Sequence, residues 1–326
     1  AGGGGLAVNA DTVTIPDNLG ATVGNNLFHS FTRFDVPAGV TARFNGAGTI
    51  QNVIARVSGT GASQIDGTID TKTAMPAANF FLMNPNGISF GSGAALNVGG
   101  SVLFTTADEL GFTDGRTLPA KIPVTEDLSS VAVNRFGFLS QTPGDITFGG
   151  SHLLIRESDF LSVPGSYPGV REVPSQVAKD PQSLTAIGGD VKLQSGTQIA
   201  STALNLIAVG DRPAGAPTGA RNINLDPTDK NSRPTGETLG RLDIAIDSFG
   251  SVYGYVDSAV VRLRGGNISL VDSEIYAYGS DSTGLGMAVD TPGTISAVDS
   301  IFSVYAREGG LELNARDIRL TRGERV

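Results

Sequence analysis

Residues 78–93 read Ala78-Asn79-Phe80-Phe81-Leu82-Met83-Asn84-Pro85-Asn86-Gly87-Ile88-Ser89-Phe90-Gly91-Ser92-Gly93. An apolar run ends at Asn84-Pro85-Asn86-Gly87, and a second short run, Ile88 to Phe90, follows before another Gly-Ser-Gly. The chemistry of the four middle residues fixes a turn. Pro85 presets φ near about −65° at the first central position, Asn86 tolerates the second, Gly87 accepts positive φ, and the Asn84 side chain reaches the backbone two residues on. An apolar strand thus bends here without losing its core face. This is a corner of a coil, and the flanking chain is expected to supply more coils.

Composition supports that expectation. In 326 residues there are 44 Gly and 16 Pro, no Cys or Trp, and only 17% charged residues. Glycine is about twice its average usage and helix-forming charged residues are scarce, which favours an all-β chain rich in turns. The formal net charge is −9 and no Lys/Arg cluster occurs, so the footprint of a nucleic-acid binder is missing. The mixed-charge tail from Arg316 to Arg325, with Asp317 and Glu324 interleaved, reads as a solvated edge. No apolar run approaches the ~20 residues that span a bilayer, and no basic segment leads into an apolar one as in a signal peptide. A cysteine-free chain also cannot be wrongly cross-linked while unfolded in an oxidising compartment.

The same grammar runs along the chain. Leu6 to Val8 and Thr12 to Ile15 read as opening strands or a cap, and Asn25 to Val36, with Phe28, Phe31, Phe34 and Val36, as cover for the apolar end of a stack. Val40 to Phe44, Ile50 to Val57, Ile65 to Ile69, Phe80 to Met83, Ile88 to Phe90 and Leu96 to Phe104 are short strands between glycine-rich turns. Asp145 to Phe148, Gly189 to Leu193, Asn267 to Leu270, Gly293 to Ser296 and Leu311 to Leu313 repeat the pattern of a Gly followed by an alternating strand.

Gly266 to Ile275 and Gly293 to Phe302 form an internal repeat offset by 293 − 266 = 27 residues, a period that signals a solenoid. One coil cannot bury its own apolar face, so coils stack and share a core. A parallel β-helix satisfies this. An antiparallel sandwich, which also has many short strands, is the rival. Thr106 to Thr113, with Ala107-Asp108-Glu109-Leu110, reads as one helical turn. Phe160 to Pro181 and Asp211 to Glu237 each carry four prolines, which offer no N–H to a sheet, and read as excursions. Arg316 to Leu320 is one more alternating strand with no closing cap after it, so the chain reads as an N-terminal fragment of a longer protein.

Candidate chemistry is sparse. Asp257, Asp272 and Asp299 each sit in a Val-Asp-Ser triplet. Paired carboxylates could cleave a polysaccharide as lyase or hydrolase, but an Asp before Ser at a repeated turn is also a bend former. His29 and His152 are the two histidines, without Cys partners, which argues against zinc, and His29 among phenylalanines reads as a packed side chain. Neither a phosphate-cradling loop nor a run of calcium-binding nonapeptides occurs, so no cofactor and no metal are expected. A third reading is a segment that binds glycans as an adhesin.

Asn84-Pro85-Asn86-Gly87-Ile88, after the strand Phe80 to Met83, resembles the signature of the two-partner secretion (TPS) domain of filamentous haemagglutinin family exoproteins. Leu27-Phe28-His29-Ser30-Phe31 with Phe34 resembles its upstream strand, and Ile50 to Val57 followed by Ser63-Gln64-Ile65-Asp66-Gly67-Thr68-Ile69 its intervening coils. The later Gly-Gly-Asp-Val and Gly-Gly-Asn-Ile strands resemble cyanobacterial members more loosely. Many members carry a further Asn-Pro-Asn-type motif upstream, which this sequence lacks.

The resemblance implies a right-handed parallel β-helix, a single-stranded solenoid with an N-terminal cap and extra-helical hairpins and loops. It implies one elongated domain over residues 1–326: cap and first coils in 1–105, coils with a long excursion in 106–185, further coils in 186–326. The implied function is non-enzymatic targeting of a large exported surface protein or adhesin. The implied partner is an outer-membrane β-barrel transporter with periplasmic POTRA-type domains, outside which the β-helix of a monomer nucleates its folding. The route is through the periplasm and outer membrane of a Gram-negative bacterium to the cell surface or medium. The residues implied are Asn84, Pro85, Asn86, Gly87, Ile88, Phe28, Phe31, Asp66 and Gly67, with no nucleic acid and no small-molecule cofactor.

Overall fold

Ile88–Phe90, the strand that leaves the turn, lies in parallel register between Ser63–Ile65 and Ile146–Phe148. Segments distant in sequence are thereby stacked, and the arrangement recurs on every face. A computed structural model describes residues 8–9, 11–121, 127–154, 182–245, 256–277, 279–304 and 310–322. One coil runs through Ser63–Ile65, Thr68–Asp70 and Asn79–Met83, and the next through Ile88–Phe90, Ala95–Asn97 and Val102–Thr105. Each strand belongs to a different sheet: a five-stranded first sheet holds Thr68–Asp70, an eight-stranded second sheet Ile88–Phe90, and a thirteen-stranded third sheet Asn79–Met83. The body is a parallel β-helix, and its parallel ladders rule out the antiparallel sandwich. The sequence repeat is the coil itself, since Ile268 pairs with Ile295 and Glu274 with Ile301.

Two stretches that read as single strands are each split by a corner. Ile65 to Ile69 divides at Asp66-Gly67, and Leu96 to Phe104 divides around Gly99-Gly100. A Cβ on Gly67 would lie 2.2 Å from the Val40 carbonyl oxygen, and one on Gly99 1.7 Å from that of Pro76. Backbone approaches this closely only where no side chain intervenes.

Inside the coils, Phe90 stacks on Phe148 at 5.0 Å and meets Phe104 edge-on at 4.6 Å, while Phe44 packs on Phe80 at 5.2 Å. At the N-terminal end, Ala21–Val23 pairs antiparallel with Asn26–Phe31, and Phe31, Phe34 and Phe44 close the first coil. This is the expected cap, with one correction. Phe28 points away from the cap into a second apolar cluster on the outer face of the third sheet.

The second cluster has its own cover. Glu109–Phe112 pairs antiparallel with Thr117–Pro119 and with Val133–Phe138, which in turn pairs with Arg221–Asn224. Ala107 to Leu110 therefore does not make the expected helical turn. An isolated turn of helix gains little, whereas as a strand this segment seats Leu110 and Phe112 against the outward side chains Phe81, Met83 and Leu103. The runs Phe80 to Met83, Val53 to Ala55 and Val102 to Phe104 are continuously apolar because both faces of their strands are buried. Strands beyond the cover, such as Asn267–Val271, alternate instead.

Asp211 to Glu237 is an excursion as expected, although it contributes the strand Arg221–Asn224 to the cover. Arginines pin it down: Arg264 donates to the carbonyls of Pro234 and Gly236 at 2.7 and 3.1 Å, and Arg262 to that of Lys230 at 2.7 Å. Burial pushes the Asp281 carboxyl up. Hydrogen bonds from Thr283 and Leu285, together with the Arg233 charge 3.0 Å away, outweigh burial and hold the group well below the usual carboxylate range. Phe160 to Pro181 lies outside the described residues.

Three stacked asparagines join the coils to the cover. Asn79 Nδ2 donates to Asn52 Oδ1 at 2.8 Å, Asn52 Nδ2 to Asn26 Oδ1 at 2.7 Å, and Asn26 Nδ2 to the carbonyls of Ser129 and Val131 at 2.9 and 3.0 Å. Buried Arg56 adds a second tie, donating to Ser30 Oγ at 2.7 Å and to the Pro119 carbonyl at 2.8 Å. Replacing Asn52 with Ala leaves a donor on Asn79 and an acceptor on Asn26 unmatched, and is expected to cost about 2 kcal/mol. Urea denaturation followed by circular dichroism checks this, and an unchanged midpoint would refute the ladder's contribution.

Candidate functional site

The Asn-Pro-Asn-Gly corner joins the third sheet to the second, and its bonds reach one coil in each direction. Asn84 is fully buried. Its Oδ1 accepts from the backbone N–H of Asn86 at 3.0 Å and from Asn86 Nδ2 at 2.9 Å, and its carbonyl accepts from the Gly87 N–H at 3.1 Å, closing the turn. Gly87 has φ +115°, open to glycine and strained for any side chain. Asn84 Nδ2 donates to the Gly61 carbonyl and to Ser63 Oγ, both at 3.0 Å, and Asn86 Nδ2 to the Gly59 carbonyl at 2.9 Å. On the other side Gly144 N–H donates to the Pro85 carbonyl at 3.1 Å, and Ile88 N–H to that of Asp145 at 3.0 Å. The corner clamps three coils together. Pro85 is half-buried, Asn86 exposed, and Ile88 is in the core.

The remaining residues named from the resemblance lie elsewhere. Asp66 and Gly67 form the corner at the opposite end of the second sheet, where both N–H groups donate to the Val36 carbonyl at 2.7 and 3.0 Å. Phe28 packs edge-on against Phe112 at 6.2 Å, and Phe31 stands on the opposite face of the same strand, 5.0 Å from Phe34. Asn84 to Ile88 thus form one constellation, whereas Asp66-Gly67, Phe28 and Phe31 are separate structural positions.

Later coils replace the proline corner with glycine followed by Asp or Asn. Asp145 Oδ1 accepts from the Asp190 N–H at 2.8 Å, Asp190 Oδ1 from the Arg241 N–H at 2.8 Å, and Asn267 Oδ1 from the Thr294 N–H at 3.1 Å. Each side chain caps the strand of the coil stacked on it, which explains the repeated Gly-Asp and Gly-Asn dipeptides. A hydrogen bond from Lys192 Nζ to Asp145 at 2.7 Å is the main reason the lysine pKa is raised.

Asp272 and Asp299 have φ of 45° and 48° and occupy successive copies of one corner, the conformation that Asp adopts more readily than most side chains. Asp257 lies within a strand, opposite Ala200 and Tyr276. The Val-Asp-Ser repeat is therefore a repeated bend in two of its three copies. No cluster of His, Asp and Glu among the described residues has the arrangement of a metal site. Sequence reading missed an open cleft of about 350 Å³ beside the asparagine ladder, bounded by Asn52, Asn79, Phe81, Val133 and Asp226.

His29 is the packed side chain expected, 2% exposed, 5.4 Å from the Phe44 ring and 6.0 Å from that of Phe31. Burial lowers its pKa from 6.5 to about 4, with the Asp17 charge opposing. His152 begins the strand His152–Leu154.

Two outcomes follow from this geometry. A Cβ on Gly144 would lie 2.4 Å from the Gly87 nitrogen and 2.5 Å from the Asn86 carbonyl carbon, both backbone, so Gly144→Ala is expected to force the corner apart and cost about 3 kcal/mol. A wild-type unfolding midpoint would refute that. For His29, the unfolded chain takes up a proton near pH 6.5 while the folded chain resists until about pH 4. Stability is therefore expected to fall by about 3 kcal/mol as pH drops across that interval. Denaturation series at several pH values check this: His29→Phe should remove the His29 part of the slope, and a slope unchanged in the variant would refute it.

The TPS secretion domain family model matches residues 3–284. Solved structures similar to this chain include the filamentous hemagglutinin secretion domain, at 18% identity and TM-score 0.45 over 98% of this chain and 95% of that one. They also include the HMW1 secretion domain from Haemophilus influenzae, at 13% identity and TM-score 0.40 over 97% of this chain and 96% of that one. A search of curated proteins finds no match.

Proposed function

Since this chain belongs to the TPS secretion domain family, we propose that it addresses an exported protein to a cognate outer-membrane β-barrel transporter, whose periplasmic POTRA-type domains receive it unfolded. The family match over residues 3–284 carries this reading. The chain acts as one elongated, monomeric and non-enzymatic domain. While unfolded it offers short alternating strands whose free backbone groups suit pairing by strand addition. Once outside, coils assemble on one another, because in a solenoid each unit contacts only its neighbours and order propagates from a nucleus. The cap, the first coils and their antiparallel cover form that nucleus.

In this reading Asn84 to Ile88 serve export through the fold. The corner bonds of Asn84 and Gly87 are made within the chain, and the loss of the Asn84 side chain removes the donor to the Gly61 carbonyl and to Ser63 Oγ and the acceptor of the Asn86 N–H. Surface delivery measured with and without the partner barrel tests the proposal. Deleting Leu27 to Asn97 is expected to abolish delivery, and undiminished delivery would overturn the targeting role. Asn84→Ala and Gly144→Ala are expected to reduce delivery in proportion to their loss of stability. A block by Asn84→Ala alone, at matched stability, would instead make the asparagine a direct contact.

A further inference from the structure

Two Asn-Gly dipeptides occur in the chain, Asn45-Gly46 and Asn86-Gly87, and the second is the heart of the signature corner. Asparagine before glycine is chemically labile, because a following residue without a side chain lets its backbone nitrogen approach the asparagine carbonyl carbon. We propose that Asn86 is a spontaneous deamidation site in the unfolded chain, that the folded corner shields it, and that the modified chain can no longer close the corner.

The step is a substitution followed by hydrolysis. The Gly87 nitrogen loses its proton to solvent and attacks Asn86 Cγ. The new C–N bond closes a five-membered succinimide, while the Cγ–Nδ2 bond breaks and ammonia leaves. One water then adds at either ring carbonyl, giving an ordinary aspartate at this position or an isoaspartate whose backbone runs through Cβ. No electrons are transferred.

Fold geometry holds both reacting ends. The Gly87 N–H donates to the Asn84 carbonyl at 3.1 Å, and the leaving nitrogen, Asn86 Nδ2, donates to Asn84 Oδ1 and to the Gly59 carbonyl, both at 2.9 Å. Rotating Cγ toward the Gly87 nitrogen breaks these bonds. Buried Gly87 would also have to leave its packed position.

The product does not fit the same place. A carboxylate in place of the Asn86 amide would face the Asn84 Oδ1 and the Gly59 carbonyl oxygen, acceptor against acceptor. An isoaspartate adds a carbon to the four-residue turn, which displaces the Gly87 N–H from Asn84 and the Ile88 N–H from Asp145. Each time the chain remains unfolded, the corner therefore risks irreversible loss, and folding slows the reaction.

The chain is incubated at mildly alkaline pH, unfolded in urea or folded in buffer, then digested with trypsin. The fragment 73–116 carries Asn79, Asn84, Asn86 and Asn97 together. In the unfolded chain Asn86 is expected to convert to acid well before Asn79 and Asn97, as read by mass spectrometry. In the folded chain conversion at Asn86 should slow at least about tenfold, since it then requires local opening. Diluting the aged sample out of urea should leave the Asn86-converted fraction sensitive to protease, and Asn86→Asp made directly should unfold at lower urea than wild type, whereas Asn86→Gln should resist conversion. Equal rates at Asn86 and Asn79 in urea, or equal Asn86 rates in the two states, would overturn the proposal. So would an Asn86→Asp protein with the wild-type midpoint together with a protease-resistant converted fraction. None of these readings involves export, so a failure here is distinct from failure of the targeting role.

Discussion

In the stacked body, each strand finds its backbone partners in the coils above and below. A strand of three residues, such as Ile88–Phe90, has no nearby stretch to pair with and gains its ladder only when Ser63–Ile65 and Ile146–Phe148 are in place. Unpaired N–H and C=O groups in an apolar interior are costly. Coils therefore order together, joined both by backbone pairing and by the apolar core that they share.

Corners set the register of that pairing. At each corner the chain changes sheet, and a slip of one residue would turn every core side chain outward. The two solutions seen here differ in strength. Asn84 to Gly87 uses two amide side chains to bind the coil before it, while Gly144, Gly189 and Gly266 let backbones touch and leave one following Asp or Asn to cap the next coil. The Asn84 to Gly87 corner stacks against the point where the antiparallel cover leaves the coil after Val102–Thr105 and returns to Ile146–Phe148, with the Asn84 N–H donating to the Thr105 carbonyl and the Gly144 N–H to that of Pro85, so that two coils adjacent in space are separated in the chain by the whole hairpin. A firm corner on one side makes that distant closure determinate.

The cover itself doubles the core. Its sheet buries the outer face of the early third-sheet strands, and the asparagine ladder, Arg56 and Arg212, whose Nη2 donates to the Phe138 carbonyl at 3.1 Å, are the polar ties that hold it there. Since the ladder begins on Ser129 and Val131 of the cover and passes through Asn26, Asn52 and Asn79, cap, coils and cover are one connected unit. The family to which the chain belongs is defined by secretion.

Much of this was legible in the residues. Turn chemistry at Asn84 to Gly87, the 27-residue repeat and the alternation of short strands are properties of neighbouring residues and their spacing, so the corner, the solenoid and the bends at Asp272 and Asp299 could be read directly. Double-faced runs such as Phe80 to Met83 also carried the signal of a second buried face, although they read as ordinary core strands. What they could not carry was the identity of the cover. Strand formation at Glu109–Phe112, the recruitment of Arg221–Asn224 and the partners of Asn26 and Arg56 depend on contacts across long excursions. Local propensity is weak there and loop length does not specify where an excursion returns. Sequence by itself determined the coil and its corners, because those are local; tertiary structure alone decided what lies against the coil, because that is a choice among distant surfaces.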